Sequence, residues 1–245
     1  MAARDVAARV HRRTAGPSEE RFATSGKPAK DGISADSAEI EVQLDITTFM
    51  TQLAEAVGGA TDDLDRRRRI GALALASDTV PEPLRRAAVA ARLPVCTWPA
   101  RDLRIPAVDA ATGELVVFRP DSGVALTDAV AASCAVPGVW PPVTIGVRRF
   151  IDGGARSGTN ADLADGTDIV VIITPAGPED QAGWAALAAE LATLAPARAH
   201  VIGADPASVA AFGTNPLSPA TRRPSALAGR EVGRSQVEPL RALFG

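Results

Sequence analysis

Tyrosine is absent from the 245 residues, and aromatic residues of every kind make up only 4% of them. Sites for single-stranded nucleic acid depend on aromatic rings for base stacking, so a chain this poor in rings has little to offer such a partner. Charge points the same way, because a formal net charge of -3 with 22% charged residues gives no general attraction for a polyanion. Nucleic acid is therefore not an expected partner. Cysteine and histidine are equally scarce. Cys96, Cys134, His11 and His200 are the whole complement and show no metal-ligand spacing, so no metal and no cofactor is expected. Two isolated cysteines fit a reduced, cytoplasmic setting. Long apolar runs are missing too: nothing spans a bilayer, and Arg4, Arg9, Arg12 and Arg13 lead into no secretory apolar core, which predicts a soluble protein. Neither Gly-x-Gly-x-x-Gly nor Gly-x-x-x-x-Gly-Lys-Ser/Thr occurs, which removes the phosphate-cradling turn a nucleotide-binding α/β domain requires.

What is present is 46% hydrophobic content, enough at this length for one large domain with a substantial core. Residues 1–36 mix charges with Gly16, Pro17, Gly26, Pro28 and Gly32 without a sustained apolar period, and read as an irregular, disordered N-terminal segment. Residues 37–245 read as the domain. Phe49, Leu53 and Val57 have helical spacing, with Gly58-Gly59 as a stop. A helical region over 64–92 is interrupted by Pro81 and Pro83, and its run Arg66 to Arg69 reads as a solvated face, with phosphate head groups as the functional alternative. Two strands are predicted around the turn Asp109 to Gly113, then a helix over 126–135 opened by Thr127 or Asp128. Val143 to Ile145 and Arg148 to Ile151 form a hairpin across Gly146-Val147, where Gly takes the positive φ. The apolar run Ile169 to Thr174 reads as a strand buried on both faces. A helix over 180–194, a strand over 200–203 and a helix opened at Asp205-Pro206 follow. That alternation predicts a parallel sheet covered by helices.

The segment from Ala131 to Val143, Ala-Ala-Ser-Cys-Ala-Val-Pro-Gly-Val-Trp-Pro-Pro-Val, precedes Phe150-Ile151-Asp152-Gly153-Gly154. Alone, Asp-Gly-Gly is a common turn. Joined to the block before it, it resembles the patatin-like phospholipases, a family of lipid acyl hydrolases, in which a helix ending Ala-Ser-x-Ala-x-Pro leads through an aromatic-Pro-Pro-Val step and a hairpin into Asp-Gly-Gly or Asp-Gly-Ala. The resemblance covers about residues 37–244. It implies a three-layer α/β/α fold with a mainly parallel central sheet, and it implies that Asp152 is a general base acting directly on a serine hydroxyl, with Gly153 and Gly154 as the turn that lets the two approach. The scarcity of histidine independently disfavours a Ser-His-Asp triad, and His200 reads as structural. For Asn160 the resemblance implies a supporting role, and an Asx turn or helix cap is the plainer account.

Two parts that the resemblance calls for are missing. No Gly-rich oxyanion turn precedes the matched region, and no serine lies in a Gly-x-Ser-x-Gly elbow. Gly32-Ile33-Ser34-Ala35-Asp36 and Gly233-Arg234-Ser235-Gln236-Val237 each lack the second glycine, so Ser34 and Ser235 read as surface or cap residues. Thr14, in Arg12-Arg13-Thr14-Ala15-Gly16, is the residue that counting back would put at the nucleophile position, although Arg12 stands where a glycine is needed. The expectation is an incomplete, N-terminally truncated or altered patatin-like domain lacking its first strand and elbow. Its family reaction is hydrolysis of a lipid or ester acyl bond by a Ser-Asp dyad, of which only Asp152 is present, so the chain as written is expected to be inactive. The alternative is a noncatalytic lipid- or partner-binding protein. A lipid or ester substrate and peripheral membrane contact are the partners implied. The particular lipid and the oligomeric state are not written in the sequence.

Overall fold

The computed structural model describes Ile40 and residues 46–245. The readings made for the segment 1–36, including His11, Thr14 and Ser34, lie outside the described residues.

Two hairpins build the sheet that carries Asp152. In the first, β1 (Ile105–Asp109) and β2 (Leu115–Phe118) pair antiparallel, with Ile105 opposite Phe118. The turn is fixed by Asp109, whose carboxylate accepts the backbone N–H groups of Ala111 and Thr112 at 2.9 Å, while Gly113 takes φ +73°. In the second hairpin β3 (Val143–Ile145) and β4 (Arg148–Asp152) pair antiparallel, with φ +63° at Gly146 as its position predicts. β4 then lies against β1, Ala107 opposite Asp152, giving the order β2-β1-β4-β3. Arg148 Nε donates to Asp109 Oδ2 at 2.6 Å and ties the two hairpins together. Burial works against ionisation of Asp109, but the Thr112 N–H, the Arg148 guanidinium and the Ala111 N–H outweigh it and hold the carboxyl below its ordinary range.

The period of two in β1 and β4 sorts their side chains onto opposite faces. Ile105, Ala107 and Phe150 face one core, which α4 (Leu126–Ser133) fills with Ala129, Ala131 and Ala132 and to which α3 (Glu82–Arg92) adds Val89. Alanines let α4 approach the sheet closely, and Phe118 meets Phe150 edge to face, ring centroids 5.2 Å apart. Val108 and Ile151 face the other core, made by Ile70 and Ala74 of α2 (Asp63–Ala76) with Leu53 and Val57 of α1 (Ile46–Val57). Helix, sheet and helix therefore form three layers here. The predicted break between α2 and α3 is realised by Pro81, the residue that begins α3. α4 starts at Leu126 as predicted and ends two residues sooner, but its cap is Ala125, which lends no side chain, rather than Thr127 or Asp128. Thr127 is buried, and Asp128 is ion-paired to Arg86, so neither is free to cap. The arginine run is not a bare solvated face either. Arg67 Nε donates to the Gly113 carbonyl at 2.6 Å, Arg68 Nε to that of Thr112 at 3.0 Å, and Arg69 to those of Gly58 and Gly59. These bonds clamp the β1–β2 turn and the α1–α2 loop to α2.

Beyond this sheet, β5 (Ile169–Ile173), α5 (Gln181–Thr193) and β6 (Arg198–Ile202) form a parallel pair with its own core of Ala161, Val170, Ile172, Leu187 and Leu194. The mixed α/β class holds, but the sheet carrying Asp152 is antiparallel in every pairing, unlike the mainly parallel central sheet that the sequence predicts. β1–β2 and β3–β4 are each joined by a tight hairpin turn, which only antiparallel neighbours accept, and the two hairpins meet antiparallel through β1 and β4. Burial along β5 alternates rather than covering both faces, and Ile173 is 79% exposed. Among the described residues β6 is its only strand partner, and α5 covers one side only. The chain closes with α6 (Pro206–Phe212), α7 (Arg222–Ser235) and α8 (Val237–Phe244); the Asp205 carboxylate caps α6 through the Ser208 N–H. Among the described residues no helix is long and apolar enough to cross a membrane.

Candidate functional site

Asp152 is the last residue of β4, and its N–H donates to the Ala135 carbonyl at 3.0 Å. That bond joins the strand end to the loop that follows α4, which brings the two halves of the sequence block together. The chain then turns through a 3₁₀ helix, Gly153–Ala155, whose Gly154 N–H donates to Asp152 Oδ1 at 2.7 Å. The other carboxylate oxygen has no hydrogen-bond partner among the described residues. Burial pushes the Asp152 carboxyl above its ordinary value, and the Gly154 bond only partly counters this. A carboxylate with a raised pKa and a free oxygen is equipped to take a proton.

The two glycines answer to two different neighbours. A Cβ on Gly153 would stand 2.7 Å from the Pro106 carbonyl oxygen of β1, and one on Gly154 would stand 3.0 Å from Asp152 Oδ1. Gly153 thus permits close contact with the neighbouring strand. Gly154 permits its own N–H to reach the carboxylate. One constraint thus comes from β1 and the other from Asp152 itself.

Asn160 takes a left-handed conformation, φ 49°, at the start of the 3₁₀ helix Ala161–Ala164, yet its side chain makes no cap. Its amide donates instead to the carbonyls of Gly153 at 3.2 Å and Ser157 at 2.9 Å, while Oδ1 accepts from Arg156 Nη1. Arg156 also forms a two-pronged pair with Asp162 at 2.6 and 2.9 Å, which raises the guanidinium pKa and lowers that of the carboxyl. Sequence reasoning missed Arg156. Its position two residues after Asp-Gly-Gly and six residues before an aspartate was the available signal.

The loop between α4 and β3 forms the other wall. Cys134 caps α4 and reaches solvent, yet burial first and the Asp152 charge second hold its thiol above the ordinary cysteine range. Trp140 is buried, and the Arg85 guanidinium of α3 lies over its ring, 3.8 Å from the centroid. Nothing in the sequence distinguished Arg85 from the other arginines of a polar helix.

The remaining candidates do not join the site. His200 bonds Gln236 at 2.8 Å and ties β6 to the end of α7, as its structural reading implies. Ser235 returns its hydroxyl to the Val232 carbonyl. Among the described residues no group of histidine, cysteine or carboxylate side chains could hold a metal ion. A cavity of about 470 Å³ opens behind the Asp-Gly-Gly turn, lined by Leu103, Pro106, Asn160, Ala161 and β5 residues 170–173. The lining is mixed, with Asp102, Arg104, Thr159 and Thr167 beside these residues, and Pro106 and Asn160 both touch Gly153, so one end of the space adjoins the turn.

Residues 44–165 match the family model of the patatin-like phospholipases. This stretch contains α1 through the Asp-Gly-Gly turn and Asn160. No curated protein matches the chain. With the Ser-Cys-Ala-Val-Pro loop hydrogen-bonded to the strand that ends in Asp152-Gly153-Gly154, the chain belongs to the patatin-like phospholipase family, a family of lipid acyl hydrolases.

Proposed function

We propose that Asp152 is the proton-accepting half of a lipid acyl hydrolase site, and that these 245 residues by themselves turn over little or no ester. The observation that carries the first part is the Asp152 carboxylate: at a strand end, raised in pKa by burial, with one oxygen tied by Gly154 and the other unbonded among the described residues. In a serine–aspartate mechanism that free oxygen takes the hydroxyl proton as the alkoxide attacks the ester carbonyl. It returns the proton to the leaving alcohol, and then activates the water that releases the acid. Gly153 and Gly154 hold the carboxylate at the turn, Asn160 fixes that turn from behind, and the adjoining cavity presents Leu103, Pro106, Leu163 and side chains of β5 to an acyl chain within a lining of mixed polarity.

The second part rests on the sequence, which has no Gly-x-Ser-x-Gly. Loss of nucleophile and oxyanion donors removes the covalent route and the largest electrostatic contribution, leaving a base without its partner. A fold that kept its cavity without turnover would leave a lipid-binding role as the second reading, with peripheral contact at a membrane surface. The test is labelling by a fluorophosphonate probe together with hydrolysis of a short-chain p-nitrophenyl ester. Background labelling and a hydrolysis rate unchanged in Asp152→Asn and Thr14→Ala are expected. Labelling that is lost in Asp152→Asn would overturn the inactivity and establish a working dyad; labelling lost in Thr14→Ala would name Thr14 as the nucleophile.

A further inference from the structure

Arg85 is 6% exposed, makes no ion pair among the described residues, and has an Nε that is buried without a hydrogen-bond partner. A buried guanidinium normally finds a carboxylate or several carbonyls, because an unpaired charge away from water is costly. The neighbouring Arg86 does so by pairing with Asp128, whereas Glu82, one turn before Arg85, is already occupied, its carboxylate accepting from the Thr144 N–H and hydroxyl. The contact Arg85 does make is with the face of Trp140. A ring face attracts a cation without using its N–H groups, so the contact with Trp140 leaves the buried Nε–H, which lies in the guanidinium plane, unsatisfied. Trp140 belongs to the loop whose Ala135 carbonyl receives the Asp152 N–H, and Cys134 of that loop feels the charges of both Asp152 and Arg85, which puts this cation near the Asp152 site.

We propose that Arg85, held against Trp140, is the seat of an anionic group of the ligand: the phosphate of a phospholipid head group or the carboxylate of a released fatty acid. The proposal rests on the hydrolase-type reading of the Asp152 site for the identity of the ligand, and on Arg85 alone for its charge. Both anions offer oxygens to a planar fork of N–H donors, and for both a lysine would be a poorer substitute because it supplies a point charge rather than a fork. The charge of Asp152 does not neutralise Arg85, since no ion pair joins them. Other readings of a buried arginine, such as support of the loop through Trp140 alone, predict no anion dependence.

The test needs no turnover, so its result is separable from that of the hydrolase reading. Glycerol 3-phosphate and hexanoate are titrated separately into the 245-residue chain while the Arg85 Nε–H and Trp140 indole N–H signals are followed by NMR. Saturable shifts of both signals with at least one anion are expected, and Arg85→Gln should weaken that binding by about tenfold or more while Arg85→Lys retains part of it. Tighter binding of glycerol 3-phosphate assigns the seat to a head-group phosphate, and tighter binding of hexanoate to a product carboxylate. If neither anion moves the two signals, or if Arg85→Gln binds as the parent does, the proposal is overturned. Should Arg85→Gln fail to fold, the titration of the parent chain decides alone.

Discussion

A carboxylate that is desolvated and accepts one hydrogen bond stores unfavourable energy when ionised, and Asp152 is such a group. Its folded-state pKa lies above the unfolded value, so the native state binds more protons through the window that starts near the ordinary carboxylate range and runs upward. Stability attributable to Asp152 is therefore greatest in acid and falls as pH rises through that window. Asp152→Asn keeps an acceptor for the Gly154 N–H and removes the charge. It should be more stable than the parent at pH 7, by about 0.5 to 2 kcal/mol as is common when a functional group is relieved, with the difference shrinking toward pH 4. Thermal melts of both proteins across that range check it; a constant difference at every pH would count against a desolvated Asp152. Asp152 was legible in sequence because turn formers on both sides of it and the preceding Ala-Ser-x-Ala-x-Pro block restrict its geometry. Arg85 was not, because its role comes from the ring of Trp140, a contact that no local pattern encodes. Thr14 falls outside the described residues, so no contact speaks for or against it.

At the scale of elements, the docking of α2 on the sheet decides where the Asp109 turn sits. Gly71 is the point of closest approach: a Cβ there would stand 2.0 Å from the Ala110 carbonyl oxygen, a backbone atom that cannot swing aside. Alanine is the better helix former by about 1 kcal/mol, so propensity alone favours Gly71→Ala. Overpacking at a backbone contact costs about 1 to 3 kcal/mol and outweighs that gain, so Gly71→Ala should lower the denaturant midpoint. A raised midpoint would mean that α2 can shift outward without loss. Both hairpins were legible from their turns, since Gly146 and the Asp109 to Gly113 segment each specify a reversal within a few residues. What escaped was sheet membership. The apolar run of β5 reads as doubly buried, but burial of its second face depends on what lies over it, and Val171 and Ile173 are left exposed by a single covering helix. The cap of α4 escaped for a related reason, because Asp128 is drawn to Arg86 on another helix.

Charge is unevenly placed over the whole molecule. From Arg222 to the last residue there are five arginines against two glutamates, a net +3 in a chain whose total is -3. On α7, Arg223, Leu227, Arg230 and Arg234 are spaced to share one face. The opposite face carries Ser225, which bonds the Ala211 carbonyl and turns that side toward α6. Leu227 and Phe244 are exposed large apolar residues on these two helices. A basic helix face with apolar residues beside it is suited to the interface of an anionic bilayer, where each arginine near the surface contributes about 1 kcal/mol. The run Arg66 to Arg69, which in sequence is the more conspicuous basic patch, is committed to loop carbonyls. If the protein makes peripheral membrane contact, it should co-sediment with phosphatidylserine-containing vesicles and much less with pure phosphatidylcholine, and the difference should fade as salt rises. Replacing Arg223, Arg230 and Arg234 together by glutamine should reduce vesicle binding by about tenfold, less than three full surface charges would give because Arg234 is paired with Glu231, while the same change at Arg67 and Arg68 should disturb stability instead. Equal binding to neutral and anionic vesicles would remove α7 as the contact face and leave the exposed apolar residues to account for any association.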